Sequence, residues 1–286
     1  PNAINLIEQN LDRISWLFLS ENENSIHLIR KSLTLINSCK HLFFDDNIWK
    51  TLSKNPNAIH LLEQNQEKID WEKLSENPNA IHLLEQNPDK RNWSYILTNP
   101  NALHIIEQNL DKIGFWGWPC LSFNPNAIHL LEQNLDKIEW VSLSHNPNAV
   151  HILEKNLDKI DWLALCNNPN AVYLLEQNPN KIDWSQLSKN PNAIYLLEQN
   201  LDKINWDWLS GNPEAIHLLE HNQDKINWNS LSGNPKAIHL IEQNLDKAQW
   251  IFLSENEEAI KLLEKHQDKI KWKFLSANPR AIHLLE

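Results

Sequence analysis

The chain has 286 residues, 41% of them hydrophobic and 22% charged, with a formal net charge of −11. That balance describes a folded chain rather than a disordered one, and the acidity argues against wrapping a phosphate backbone. No apolar run approaches the ~20 residues that a helix needs to span a membrane.

Internal repetition organises everything else. The phrase NPNAIHLLEQNLDKIEW, Asn124 to Trp140, recurs with few changes along the chain. Prolines at 56, 78 and 100, at 125, 147, 169, 191, 213 and 235, and at 279 mark units spaced by 22 residues wherever the spacing is regular. Glu23 and Glu257 take the proline place in two units. About twelve units follow, with a partial one from Pro279. The chain opens at Pro1 and closes at Glu286, both inside the phrase, which reads as a fragment of a longer protein.

Each unit predicts two short helices. In the quoted unit Asn124 is an N-cap and Pro125 suits the first helical position, where its missing N–H is no loss. The first helix is expected near 125–134, ending on a left-handed cap at Asn134. At 100° per residue Ala127, Ile128, Leu130 and Leu131 share one face, and His129 points away. A second helix near 140–144 starts at Trp140, capped at Glu139 (Asp or Asn in most units), with Ile138 and Leu143 as a hydrophobic staple. One such unit buries too little apolar surface to offset the entropy of ordering its backbone, whereas stacked units cover one another. The expected fold is therefore all-α: an α-solenoid of about twelve helix-turn-helix repeats forming a rod or superhelix, one tandem-repeat domain over 1–286.

Two units are irregular. The one at 23–55 carries the insertion RKSLTLINSCKHLFFDDN, Arg30 to Asn47. The one at 100–124 carries three extra residues within GFWGWPC, Gly114 to Cys120, including two of the four glycines. Each reads as a neutral loop or as a kink, cap or contact site.

Recurring side chains offer candidate chemistry. Tryptophans at 16, 49, 71, 93, 140, 162, 184, 206, 228, 250 and 272, with Trp118 in the irregular unit, are expected to form a core ladder. Histidines at 27, 60, 82, 104, 129, 151, 217, 239 and 283 are expected to face solvent or pack between repeats; Tyr173, Tyr195 and Lys261 replace them in three units. Glu and Lys ladders, such as Glu132 and Lys137, are expected to form exposed ion pairs. The run HLLEH, His217 to His221, matches the H-x-x-E-H spacing of a zinc peptidase class. It lies in the background phrase of the whole chain and has no evident third ligand, so no metal site is assigned. Cys39, Cys120 and Cys166 make no CxxC pair and read as free thiols. No phosphate-binding glycine loop or nucleophile elbow occurs. The expectation is a non-enzyme with no cofactor.

Variation concentrates at the two residues after the tryptophan and at the last residue of the unit. In a solenoid these are where partner specificity lies. Together with the two insertions they give Phe18, Phe43, Phe44, Tyr95, Trp116, His145, Trp208, Phe252 and Phe274 as candidate partner contacts.

The phrase NPNAIHLLEQN-LDKI-W-LS resembles tandem repeats in proteins encoded by nucleocytoplasmic large DNA viruses of algae and protists. The resemblance spans essentially the whole chain. It implies an all-α repeat fold and a viral origin, with the protein in the host cytoplasm or the virion, and brings no catalytic residues. The function expected is a repeat scaffold mediating protein–protein interaction, with host or viral proteins as partners, self-association possible, and no nucleic acid or membrane. The alternative is a structural component of a virion or filament.

Overall fold

A computed structural model describes residues 15–36, 46–281 and 284. All regular structure among the described residues is helical. The α-solenoid is thereby observed: short helices recur once per 22-residue period, and neighbouring units pack on one another. The contacts fall into two compact units, one made of residues up to Arg91 together with Ile238 onward, the other of Asn92–Ala237.

The repeat is finer-grained than two helices. In the quoted repeat the first helix is Ile128–Glu132 and the second is Trp140–His145. In others the proline triplet forms a 3-10 turn of its own, as at Pro56–Ala58 and Pro191–Ala193. A further 3-10 turn, such as Leu157–Lys159, links the two helices. The expected ten-residue first helix is cut short because Ala127 has φ −89° and ψ 9°, which turns the chain before the α-helix begins. The Asn124 side chain caps that turn, accepting from the Asn126 N–H at 3.0 Å.

The left-handed cap at Asn134 is not found, since no described residue has positive φ. Asn134 ends the helix through its side chain instead. Its amide donates to the Leu130 carbonyl at 2.9 Å, satisfying one of the orphan acceptors of the last turn. Asn65, Asn87, Asn109 and Asn156 repeat the bond.

The core follows the expected faces. Ala127, Leu130, Leu131, Ile138 and Leu143 are buried, and His129 is exposed. The tryptophans are the exception. Trp49 and Trp118 are buried, but Trp16, Trp71, Trp93, Trp140, Trp162, Trp184, Trp206, Trp228, Trp250 and Trp272 are half-buried. The ladder lies at the margin of the core because the leucine three residues on fills the centre. In several repeats its outer ring face is covered by a lysine of the next repeat: Lys90 lies 4.5 Å from Trp71, Lys159 4.9 Å from Trp140, Lys203 4.6 Å from Trp184 and Lys225 4.6 Å from Trp206. These are cation–π contacts.

Polar bonds tie repeat to repeat. The asparagine before each proline is buried, and its amide reaches back to the preceding unit. Asn146 donates to the carbonyls of Asn124 at 3.0 Å and Ser122 at 2.9 Å, while its oxygen accepts from the Asn148 N–H at 3.0 Å. Asn168 makes the same bonds one repeat later. Asn148 donates to the Pro125 carbonyl at 2.9 Å. The serine near the end of the unit is a relay: Ser144 donates to the Trp140 carbonyl and accepts from the Asp161 N–H of the next repeat.

The N-terminal repeat of the first compact unit stacks on its C-terminal one. The Ser15 N–H donates to Ser276 Oγ, and the Asn22 amide donates to the carbonyls of Ser276 and Asn278. These are the repeat-to-repeat bonds again.

Of the insertions, residues 30–36 continue the first helix of their repeat, which runs Ile26–Ile36. Phe43, Phe44 and Cys39 lie outside the described residues. In GFWGWPC the chain turns between Gly114 and Gly117 and enters the helix Gly117–Phe123, placing Trp118 in the ladder. A Cβ at Gly117 would meet Leu97 Cδ1 at 2.7 Å and Ile113 Cγ2 at 3.0 Å, so a larger residue there would push the Leu97 side chain aside.

Candidate interaction surface

The framework consumes most polar side chains of the repeat. The histidines do not gather; four of them bond a glutamate of the preceding repeat, and His60 meets Glu63 of its own repeat at 3.6 Å. His82 Nε2 lies 2.9 Å from Glu63, His129 2.5 Å from Glu107 and His151 2.9 Å from Glu132, and His217 pairs with Glu198. Tyr173 substitutes with a hydroxyl bond to Glu154. Burial and this glutamate push the Tyr173 phenol up to about 12. The His82 hydrogen bond holds the Glu63 carboxyl below its ordinary value. Of the expected Glu and Lys pairs along the stack, Lys54 meets Glu76 at 3.1 Å, Lys236 meets Glu214 at 2.6 Å and Lys265 meets Glu242 at 3.5 Å, whereas Glu132 is taken by His151, and Lys137 bonds Asn134 and covers Trp118.

His217 and His221 are likewise occupied separately. His221 Nδ1 lies 2.7 Å from the His217 carbonyl, while His217 turns to Glu198. Among the described residues no group of three or more His, Cys, Asp or Glu is placed to hold a metal ion. Cys120 and Cys166 are free thiols. Cys166 stands in the serine relay position, accepts from the Asp183 N–H at 3.4 Å, and is buried, which pushes its thiol pKa up.

The side chains left over are the variable ones around the second helix. Within the first compact unit Phe252, Phe274 and Phe18 occupy the same position in three repeats that follow one another in the stack. Phe252 is exposed and the other two are half-buried. The Phe18 and Phe274 rings lie 5.9 Å apart, with Lys273 at 5.5 and 6.0 Å from them. Leu17 and Ile251 are exposed beside this row.

Within the second unit the candidates are spread along the stack. Tyr95 is half-buried. Trp208 is 50% exposed, with Lys189 at 3.8 Å over its ring. His145 is half-buried 6.1 Å from the exposed Phe123. Trp116 is 82% exposed and stands edge-on to Phe115, 81% exposed, at 5.2 Å. Together they wall a groove of about 570 Å³ whose other sides are Trp118, Pro119, Asp136, Lys137, Ile138 and Glu139. Burial works to raise the Glu139 pKa, but N–H bonds from Ser142 and Val141 outweigh it and the carboxyl stays below its ordinary value. Phe115, Phe123 and Tyr195, all exposed, were not among the residues singled out by variation. Phe115 adjoins Trp116 in the insertion and Phe123 holds the variable last position of its unit, so both were within reach of the sequence.

Residues 118–286 match the family described as periplasmic copper-binding protein (NosD). No curated protein and no solved structure matches the chain. Copper takes thiolate, thioether and imidazole ligands. The chain has no methionine, and its histidines and cysteines, among the described residues, form no group placed to hold the ion.

Proposed function

The chain belongs to the family described as periplasmic copper-binding protein (NosD), and we propose that this member is a non-enzymatic repeat scaffold that binds other proteins. Neither the copper nor the periplasm of the family's description is carried over. The observation behind the reading is the division of labour in the repeat. Framework positions bond to neighbouring repeats, while aromatic side chains free of that duty stand exposed at the variable positions. Exposed aromatics are the residue class that anchors protein interfaces.

The paired Phe115 and Trp116 beside their groove are the strongest anchor, because two large rings exposed together have no framework role. The partner contributes apolar side chains to the groove and a basic group toward Asp136 and Glu139. It is a host or viral protein, and the scaffold works in the host cytoplasm or the virion, in keeping with the repeat resemblance. Capture from infected-cell extract, parent against the Phe115→Ser/Trp116→Ser double variant, tests this. A partner held by the parent and lost by a variant of unchanged thermal midpoint supports the reading. Equal capture by both removes these rings from it.

A further inference from the structure

The stack in the first compact unit contains a junction that the chain does not bridge locally. On one side are the helix Trp272–Leu275 and the start of the repeat at Asn278; on the other are the helix Trp16–Glu21 and Asn22 to Asn24. The bonds across it copy those between consecutive repeats. Ser15 N–H donates to Ser276 Oγ at 3.2 Å, as Asp161 N–H donates to Ser144 Oγ at 3.1 Å. The Asn22 amide reaches Asn278 O at 2.9 Å and Ser276 O at 3.3 Å, as Asn146 reaches Asn124 and Ser122. Asn24 reaches Pro279 O at 3.0 Å, as Asn148 reaches Pro125.

Burial agrees. Leu19 and Leu275 are 1% and 0% exposed, like Leu143 within the second unit at 0%. An uncovered end of a solenoid would expose such residues, which is why solenoids carry polar capping repeats. Here the two segments cover each other. In the stack the helix Trp16–Glu21 thus follows Asn278 and the turn after it.

We propose that this junction is an exchange interface whose partner is a second copy of the same chain. Its two faces are complementary and unlike, so the face around Ser276–Pro279 of one copy fits the face around Ser15–Asn24 of any other. Nothing chemical distinguishes the two arrangements. Only effective concentration does: the internal contact wins when copies are dilute, and exchange between copies wins when they are crowded. Such heterologous contacts generate reciprocal dimers or longer head-to-tail chains. Loss of partner binding in Phe115→Ser/Trp116→Ser leaves this junction intact, so the two readings fail separately.

The test mixes ordinary and nitrogen-15-labelled copies of the full chain carrying a benzophenone amino acid in place of Phe274. The mixture is unfolded, refolded at low and at high protein concentration, irradiated and mapped by mass spectrometry, with light scattering for mass. Exchange predicts monomers with same-isotope cross-links from position 274 to residues 16–21 at low concentration. At high concentration it predicts dimers or longer species with mixed-isotope cross-links at the same residues. The reciprocal probe at Phe18, landing on residues 272–277, guards against a local effect of the first. Monomers at every concentration overturn the proposal, as do oligomers whose cross-links land elsewhere.

Discussion

Ser15 and Ser276, 261 positions apart, share a hydrogen bond of 3.2 Å from the backbone N–H of one to the side-chain oxygen of the other. It is the bond that an ordinary repeat makes 17 residues along the chain, as between Asp161 and Ser144. Contact order at this place is therefore high while the contact itself is ordinary. Pairing 15–24 with 276–279 demands a long loop closure, which is slow relative to growth of the stack through neighbours. Variants confined to this junction are expected to speed unfolding and leave refolding of the remaining repeats unchanged, read in stopped-flow tryptophan fluorescence. A slowed main refolding phase in Asn22→Ala would show instead that the junction forms early.

The buried asparagine ladder should carry large energetic effects. Asn146→Ala removes two donors from buried carbonyls and one acceptor from Asn148 N–H. Leaving such groups unpaired costs about 2–4 kcal/mol. Asn148→Ala loses one exposed bond to Pro125 and should cost under ~1 kcal/mol. Urea denaturation of the two variants should separate them clearly, and equal midpoints would refute the ladder's role.

Half-burial of the tryptophans predicts a ranking rather than a uniform cost. Trp118→Ala, at a buried site, should cost about 3–5 kcal/mol. Trp140→Ala should cost less, and Lys159→Gln, which removes the cation over Trp140, should cost about 0.5–1 kcal/mol. The double variant Trp140→Ala/Lys159→Gln should be no worse than Trp140→Ala alone. Additivity in that cycle would mean the lysine acts elsewhere.

Cys166 sits where Ser144 and Ser188 sit in neighbouring repeats, and its sulfur accepts at 3.4 Å where Ser144 accepts at 3.1 Å. Cys166→Ser should stabilise the chain by about 0.5–1.5 kcal/mol through a stronger bond. In the native parent this thiol, buried and with its pKa raised, should resist a thiol reagent that labels it at once in urea. Rapid native labelling would place it on a mobile surface instead.

Two glutamates should give opposite pH effects. Glu63 is held below its ordinary value of 4.5 by the His82 hydrogen bond. Its contribution is present above that pH and is lost as pH falls through the lowered folded value. Glu255 is raised, by burial and then by Glu21, so it favours the fold below 4.5 and opposes it once ionised. Glu63→Gln should therefore flatten the acid limb of a stability–pH curve. Glu255→Gln should raise stability at neutral pH and leave it unchanged under acid. The same shape for both variants would contradict this assignment.

Period and facing made the solenoid legible. Leu130, Leu131, Ala127 and Ile138 could be placed from helical geometry alone, because each is decided within its own repeat. What a single repeat does not contain was harder to see. Asn146 and Asn168 look like caps and are caps, but their buried amides answer to carbonyls 22 and 24 residues away, a relation fixed by the stacking vector. Trp140 looks like core by hydropathy, yet its outer face is completed by Lys159 from the following unit. Asn134 suggested a left-handed turn because asparagine tolerates one, and a side-chain bond to Leu130 did the same task at lower backbone cost. At the surface, variability located Trp208 and the insertion located Trp116, while Phe115 beside it was passed over although the same insertion holds it.

The asparagine ladder also sets how a stretch of this stack bears load. Each bond from Asn168 to Asn146 and from Asn146 to Asn124 joins one repeat to the next, so tension applied along the row passes through the links in series. Every repeat interface feels the full force, shared only among its own few bonds. Elements in series yield one at a time, at the weakest, and each release lengthens the chain and relaxes the rest. Within a compact unit, extension would then appear as a train of small, similar rupture steps, with substituted sites such as Cys166 giving way first.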